Sequence, residues 1–171
     1  AILGTLLNQY SSIQEIIIRL KDTFDKKLLP EYFLTFAAVA VNGDGKLRYC
    51  RAGHLPLLHY KADTDSFEEL NPKGLGIGFK DNGAFAKLLE TMEITPSLGD
   101  IFLLYTDGLT ELMNLRKDQF GLDPIKRIIR ENKTKSLDEI KNAILHSVNS
   151  FRGSEPQSDD LTMILIKSTT V

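Results

Sequence analysis

The 171-residue sequence predicts an α+β fold in which helices cover stacked antiparallel β-sheets. Two observations predict it. Strand-like runs are joined by turn residues into hairpins instead of alternating one-for-one with helices, and the order is helix, several strands, two helices, then a closing strand. At roughly 150 residues per domain this is a single domain, residues 1–171, long enough to bury a core of its own.

Each element follows from its own pattern. Ser12-Ile13-Gln14-Glu15 has capping-box spacing, and Ile13, Ile16, Ile17, Leu20 and Phe24 recur at helical intervals, which predicts a helix over residues 13–27 with one buried stripe. Residues 32–41 are aromatic, β-branched or small and carry no charge. Asn42-Gly43-Asp44-Gly45 supplies a turn, and residues 46–52 alternate Leu47 and Tyr49 with Lys46 and Arg48, completing a β-hairpin. A third strand is expected at 55–61 and a short fourth at 67–70. Gly74, Gly76 and Gly78 make residues 72–82 a loop. Strands follow at 88–95 and, strongly apolar, at 101–106, the latter ending at Asp107-Gly108. Ile125, Ile128 and Ile129 place a helix at 124–132. Ser136-Leu137-Asp138-Glu139 is a second capping box, opening a helix at 136–151 with Ile140, Ile144, Val148 and Phe151 on its apolar face. After a breaker-rich loop at 153–158, residues 161–167 form the last strand.

Composition excludes several functions. With 21 Lys and Arg against 23 Asp and Glu, a net charge of −2 and a pI near 5.9, the chain has no basic excess for phosphate backbones, so nucleic acid is not expected as a partner. The single Cys50 and three histidines offer neither a disulfide nor zinc-finger spacing, which points to a reducing, cytoplasmic setting. No apolar run reaches the ~18 residues of a membrane span. The stretch Ala1-Ile2-Leu3-Gly4-Thr5-Leu6-Leu7 has no Met and no basic segment ahead of it. It is expected to be the tail of a helix in a longer protein.

Two acidic positions stand out. Asp107 lies where an apolar strand stops, and Asp159-Asp160 lies where a Gly/Ser/Pro loop meets the final strand. A strand end fixes the Cβ direction while the adjoining loop leaves the carboxylate open, and carboxylates are the hard oxygen donors that suit Mg²⁺ or Mn²⁺. The plainer readings are a turn Asp accepting backbone N–H groups at 107 and a solvated strand cap at 159–160. His54, in Arg51-Ala52-Gly53-His54-Leu55-Pro56, is either a general acid or a side chain that fixes a turn. Cys50 is read as a buried strand cysteine. The glycines of Gly74-Leu75-Gly76-Ile77-Gly78 do not match a phosphate-binding G-x-G-x-x-G.

In order along the chain, Arg51-Ala52-Gly53-His54-Leu55-Pro56-Leu57-Leu58, Leu75-Gly76, Phe102-Leu103-Leu104-Tyr105-Thr106-Asp107-Gly108-Leu109-Thr110-Glu111, Phe120-Gly121 and Ser158-Asp159-Asp160-Leu161-Thr162 resemble the bacterial SpoIIE-like branch of the metal-dependent PPM-type serine/threonine phosphatases. The resemblance implies an α-β-β-α sandwich with two Mn²⁺ or Mg²⁺ ions at one edge, where water attacks phosphoserine or phosphothreonine directly. It implies metal ligation by Asp107 and Asp159, with Asp160 and Gly108 supporting them from behind, and leaves His54 structural. The family's Gly-Gly-Asp-x-x-Asp and Asp-x-Ser-Gly-x-Gly segments do not occur in these residues. The chain is therefore expected to be the C-terminal part of a catalytic domain that lacks its N-terminal strands, holds about half of the ligands and is inactive alone. A sheet edge left open would invite pairing with another chain, a route to a dimer.

The function expected of the intact protein is metal-dependent hydrolysis of phosphoserine on a small regulatory protein of anti-anti-sigma type, in bacterial sigma-factor signalling. An upstream sensor or regulatory domain is expected in the parent chain, and no membrane contact is expected from this segment. The alternative is a non-catalytic partner-binding module of the same fold. A plain α+β structural domain is the third reading.

Overall fold

The computed structural model describes residues 3, 4, 6, 12–26, 32–41, 43–79, 82–157 and 159–169. The elements run α1 (Ile13–Phe24), β1 (Phe36–Val41), β2 (Leu47–Ala52), β3 (Leu57–Lys61), β4 (Ser66–Leu70), α2 (Phe85–Leu88), β5 (Thr91–Ile94), β6 (Ile101–Tyr105), α3 (Asp107–Thr110), α4 (Asp123–Glu131), α5 (Leu137–Arg152) and β7 (Met163–Lys167). The expected α+β class with antiparallel sheets holds. The elements fall into two units, Ala1–Pro56 with Asn71–Pro96, and Leu57–Leu70 with Ser97–Val171.

In the first unit the isoleucine stripe buries as its spacing requires. Ile16, Ile17 and Leu20 are enclosed, and α1 packs on β1 and β2. The expected capping box at its start does not form: Ser12 makes no side-chain capping bond, and the helix opens on the bond from the Ile16 N–H to the Ser12 carbonyl (3.0 Å). Residue 27 of the predicted helix, Asn42 of the predicted turn and Ser158 lie outside the described residues, as does most of the N-terminal stretch 1–10. β2 lies between β1 and β5 in an antiparallel three-stranded sheet, pairing Phe36 with Ala52 and Tyr49 with Met92. Ile17, Cys50, Ala52, Ile77, Phe85 and Leu89 form the core beneath it. The strand predicted at 88–95 is shorter than expected because residues 85–88 form one helical turn, which points Phe85 and Leu89 the same way.

The glycine loop is held by backbone contact. The Gly53 N–H donates to the Gly74 carbonyl (3.0 Å), and a Cβ on Gly74 would fall 1.8 Å from the Arg51 carbonyl oxygen. Gly53 has φ +69°, and a Cβ there would fall 2.8 Å from the Gly76 backbone.

The second unit is an antiparallel sheet in the order β4-β3-β6-β7. α4 and α5 pack against each other, α4 on β3 and α5 on β7, with Ile125, Ile128, Ile129, Ile140, Ile144 and Val148 buried. Both bonds of the second capping box are present at Ser136 and Glu139. Lys126 pairs with Glu69 (2.8 Å), and Lys133 (2.9 Å) and Arg130 (3.4 Å) pair with Asp65, tying α4 and the turn after it to the β3–β4 hairpin. Among the described residues no helix is long and apolar enough to cross a membrane.

Gly74→Ala should lower the thermal unfolding temperature by several degrees, because the main chain must move away from Arg51. Gly43→Ala, where a Cβ meets open space, should leave it nearly unchanged. Ser136→Ala should cost about 1 kcal/mol in urea unfolding.

Candidate functional site

β6 is apolar because it lies inside its sheet, with Ile101, Phe102, Leu103 and Tyr105 buried. It runs antiparallel to β7, and Tyr105 opposite Met163 is the last pair of the ladder. The segments on either side of that pair therefore emerge together: Thr106-Asp107-Gly108 leaves one strand as Asp159-Asp160-Leu161-Thr162 enters the other. Thr106 joins them. Its N–H donates to the Thr162 carbonyl (3.1 Å). Its Oγ1 donates to the Asp160 carbonyl (3.1 Å) and accepts the Thr162 N–H (3.0 Å). A Cβ on Gly108 would fall 2.4 Å from the Asp160 carbonyl oxygen and 3.5 Å from the Asp159 carbonyl carbon, so only glycine lets the two segments approach this closely.

Asp107 opens a single helical turn, α3, where the sequence predicted only a turn. Its Oδ1 accepts the Gly108 N–H (3.0 Å), and its carbonyl accepts the Glu111 N–H (2.7 Å). Asp159 Oδ1 accepts the Asp160 N–H (2.7 Å), and the Asp159 carbonyl accepts from Gln157 Nε2 (2.7 Å). The carboxylates at 107, 159 and 160 belong to exposed residues. Among the described residues none has a Lys, Arg or His at ion-pair distance. Burial, reinforced by the charge of Glu69, pushes the phenol of Tyr105 up to about 12, so it is neutral at physiological pH.

The other candidates lie in the first unit. His54 Nδ1 meets Thr35 Oγ1 (3.1 Å), and the His54 carbonyl accepts from Arg51. Both contacts fix the turn after β2. Cys50 is buried, and that burial pushes its thiol pKa up, the reverse of what a nucleophile needs. Sequence reasoning missed the clamp made by the Thr106 hydroxyl, although that residue stood within the quoted motif. It also missed a buried pair, His59 Nε2 with Asp100 Oδ2 (2.9 Å), in which His59 stacks on Phe102. A charged residue in the turn ahead of an apolar strand, opposite a strand His, was the available signal.

As donors, Asp107 and Asp159 fit a divalent cation by type. Hard carboxylate oxygens suit Mg²⁺ and Mn²⁺, and each carboxylate spends one oxygen on a neighbouring N–H and keeps the other. They supply part of a shell of about six oxygens. Among the described residues no group of three or more His, Cys, Asp or Glu side chains is assembled closely enough to hold an ion.

The profile of the Stage II sporulation protein E (SpoIIE) family matches residues 1–169, and the chain belongs to that family. It has the fold of a PP2C-type phosphatase domain. It resembles the PP2C phosphatase domain with a fragment of the regulatory domain of SpoIIE from Bacillus subtilis, with a TM-score of 0.75 at 18% identity, covering 96% of this chain and 47% of that one. Among curated proteins it is 28% identical over 136 residues to Protein IcfG of Synechocystis, covering 78% of this chain and 20% of that protein. It is 24% identical over 155 residues to the phosphoserine phosphatase RsbU of Bacillus subtilis, covering 90% of this chain and 44% of that protein. The chain thus spans less than half the length of these curated relatives.

Thr106→Val removes the hydroxyl that accepts the Thr162 N–H, so the Thr162 amide should exchange with solvent at least about tenfold faster while amides in α5 are unchanged. Cys50 should resist Ellman's reagent at pH 7.5 in the folded protein and react at once in denaturant.

Proposed function

We propose that the full-length protein is a metal-dependent phosphoserine phosphatase acting on a small regulatory protein, with Asp107 and Asp159 as metal ligands at the joined ends of β6 and β7. One observation carries this reading: Thr106 and Gly108 hold the Asp107 segment against the Asp159-Asp160 segment in a chain of the SpoIIE family. When bound, Mg²⁺ or Mn²⁺ would polarise the phosphoryl oxygens and lower the pKa of water. The chain's own contribution is placement. Asp107 and Asp159 each direct a carboxylate oxygen outward from a strand end, and the Asp160 main chain is braced by Thr106. Cys50 is buried and so offers no thiol nucleophile. The similarity to RsbU, itself named a phosphoserine phosphatase, supports phosphoserine as the group hydrolysed, and a regulator of anti-anti-sigma type as its carrier is what the motif resemblance implies. A regulatory domain elsewhere in the full-length protein is proposed on the same relatives, which extend well beyond the matched region.

The alternative reading is a partner-binding module of the same fold without catalysis. Catalysis and metal binding separate the two. In the full-length protein, Mn²⁺ should support release of phosphate from a phosphoserine protein, and EDTA should abolish it. Asp107→Asn and Asp159→Asn should each cost at least about a hundredfold in kcat/KM and weaken Mn²⁺ binding read by electron paramagnetic resonance. Unchanged rates and unchanged Mn²⁺ binding in both variants would overturn the assignment.

A further inference from the structure

Residues 112–120, between α3 and α4, form a small hairpin that the phosphatase reading does not use. Its two sides are joined by the bond from the Phe120 N–H to the Leu112 carbonyl (2.9 Å), a bridge between Met113 and Gln119, and the bond from the Asn114 N–H to the Asp118 carbonyl (3.1 Å). The tip is rigid. Asn114 Oδ1 accepts the N–H groups of Arg116 (2.8 Å) and Asp118 (3.0 Å), and Lys117 takes φ +66°. Three residue pairs at ~3.3 Å each carry the tip about 10 Å from its base.

This hairpin is anchored to both acidic segments. Its base continues from the helical turn that begins at Asp107, where the Gly121 N–H donates to the Thr110 carbonyl (2.8 Å). Phe120 packs edge-on against Phe151 of α5 (5.3 Å). At the tip, Lys117 reaches Glu155 (3.4 Å), in the loop that leads to Asp159. Between these anchors the hairpin offers side chains with no internal purpose. Leu115 is 66% exposed and Met113 42%, and exposed Arg116 has no carboxylate partner among the described residues.

We infer that this hairpin is the docking wall for the protein substrate, selecting a phosphoserine segment with an apolar residue for Leu115 and Met113 and a carboxylate for Arg116. The inference rests on the phosphatase reading and deepens it. A phosphoserine brought to the carboxylates at 107 and 159 would carry its flanking residues past a wall tied to both segments. An exposed leucine beside an arginine with no carboxylate partner among the described residues complements an apolar, acidic peptide: the apolar contact gives affinity, and the charge gives orientation and selectivity.

The test uses the full-length protein with Mn²⁺ and three substrates: p-nitrophenyl phosphate, a phosphoserine peptide with Leu and Glu beside the phosphoserine, and the same peptide with Ala at both places. The wild type should prefer the Leu/Glu peptide by about tenfold or more in kcat/KM, mainly through KM. Leu115→Ala and Arg116→Ala should each erode that preference, and the double variant should abolish it, with p-nitrophenyl phosphate turnover and melting temperature unchanged. Equal turnover of the two peptides by the wild type, or an undiminished preference in the double variant, overturns the inference and leaves the phosphatase reading standing. Parallel loss of all three activities in both single variants also overturns it, assigning the hairpin to the catalytic geometry instead. A wild type that hydrolyses none of the three overturns both readings.

Discussion

The candidate site depends on a main-chain approach that tolerates no side chain: Gly108 lies against the Asp160 carbonyl, and the Thr106 hydroxyl bridges the same carbonyl to the Thr162 N–H. Neither contact involves a carboxylate, yet together they determine where two carboxylates stand. A Cβ in the glycine's place would separate the segments.

That approach is itself set by the register of β6, which is fastened at its other end. Asp100 Oδ1 accepts the Ala62 N–H (2.8 Å), and its Oδ2 takes the Ser97 N–H (3.0 Å) and His59 Nε2 (2.9 Å), with the Asp100 and His59 side chains buried. The bond from the Ser168 N–H to the Asp100 carbonyl (2.9 Å) closes the β6–β7 ladder at that end. A buried carboxylate stripped of its donors is costly, so this cluster resists a slip of β6 along its neighbours. A one-residue slip would turn Tyr105 outward and carry Asp107 away from Asp159.

What the sequence made legible was whatever periodicity and motif order encode. The stripe of Ile13, Ile16, Ile17 and Leu20, the Ser136 capping box and the apolar run at 101–105 each follow from local rules. The failures were contacts made at a distance. Ser12 has the letters of a capping box and makes no capping bond. Residues 85–88 form a helical turn because Phe85 and Leu89 are drawn into a core that includes Ile17 and Ile77. Gly74 reads as loop punctuation, and Gly53 and Gly74 are glycines because the chain at the end of β2 and the loop touch through their backbones. Asp107 and Asp159 stand out by their place at strand ends, and the motif resemblance gives them a role. The partner that joins them, the Thr106 side chain, has no signature until β6 and β7 are paired.

The acidic residues of the second unit divide by what holds them. Asp65 is consumed: Tyr60, Lys133 and Arg130 surround its carboxylate, and the Tyr60 hydroxyl, followed by Lys133, pulls its pKa below the usual range. Glu68 and Glu69 likewise face Lys61 and Lys126. Asp107 and Asp159 are positioned by backbone and hydroxyl bonds alone, with one carboxylate oxygen each left to solvent. Among the described residues neither carboxylate is held in an ion pair that a cation would have to break. That difference separates these two carboxylates from the ones that hold the fold together.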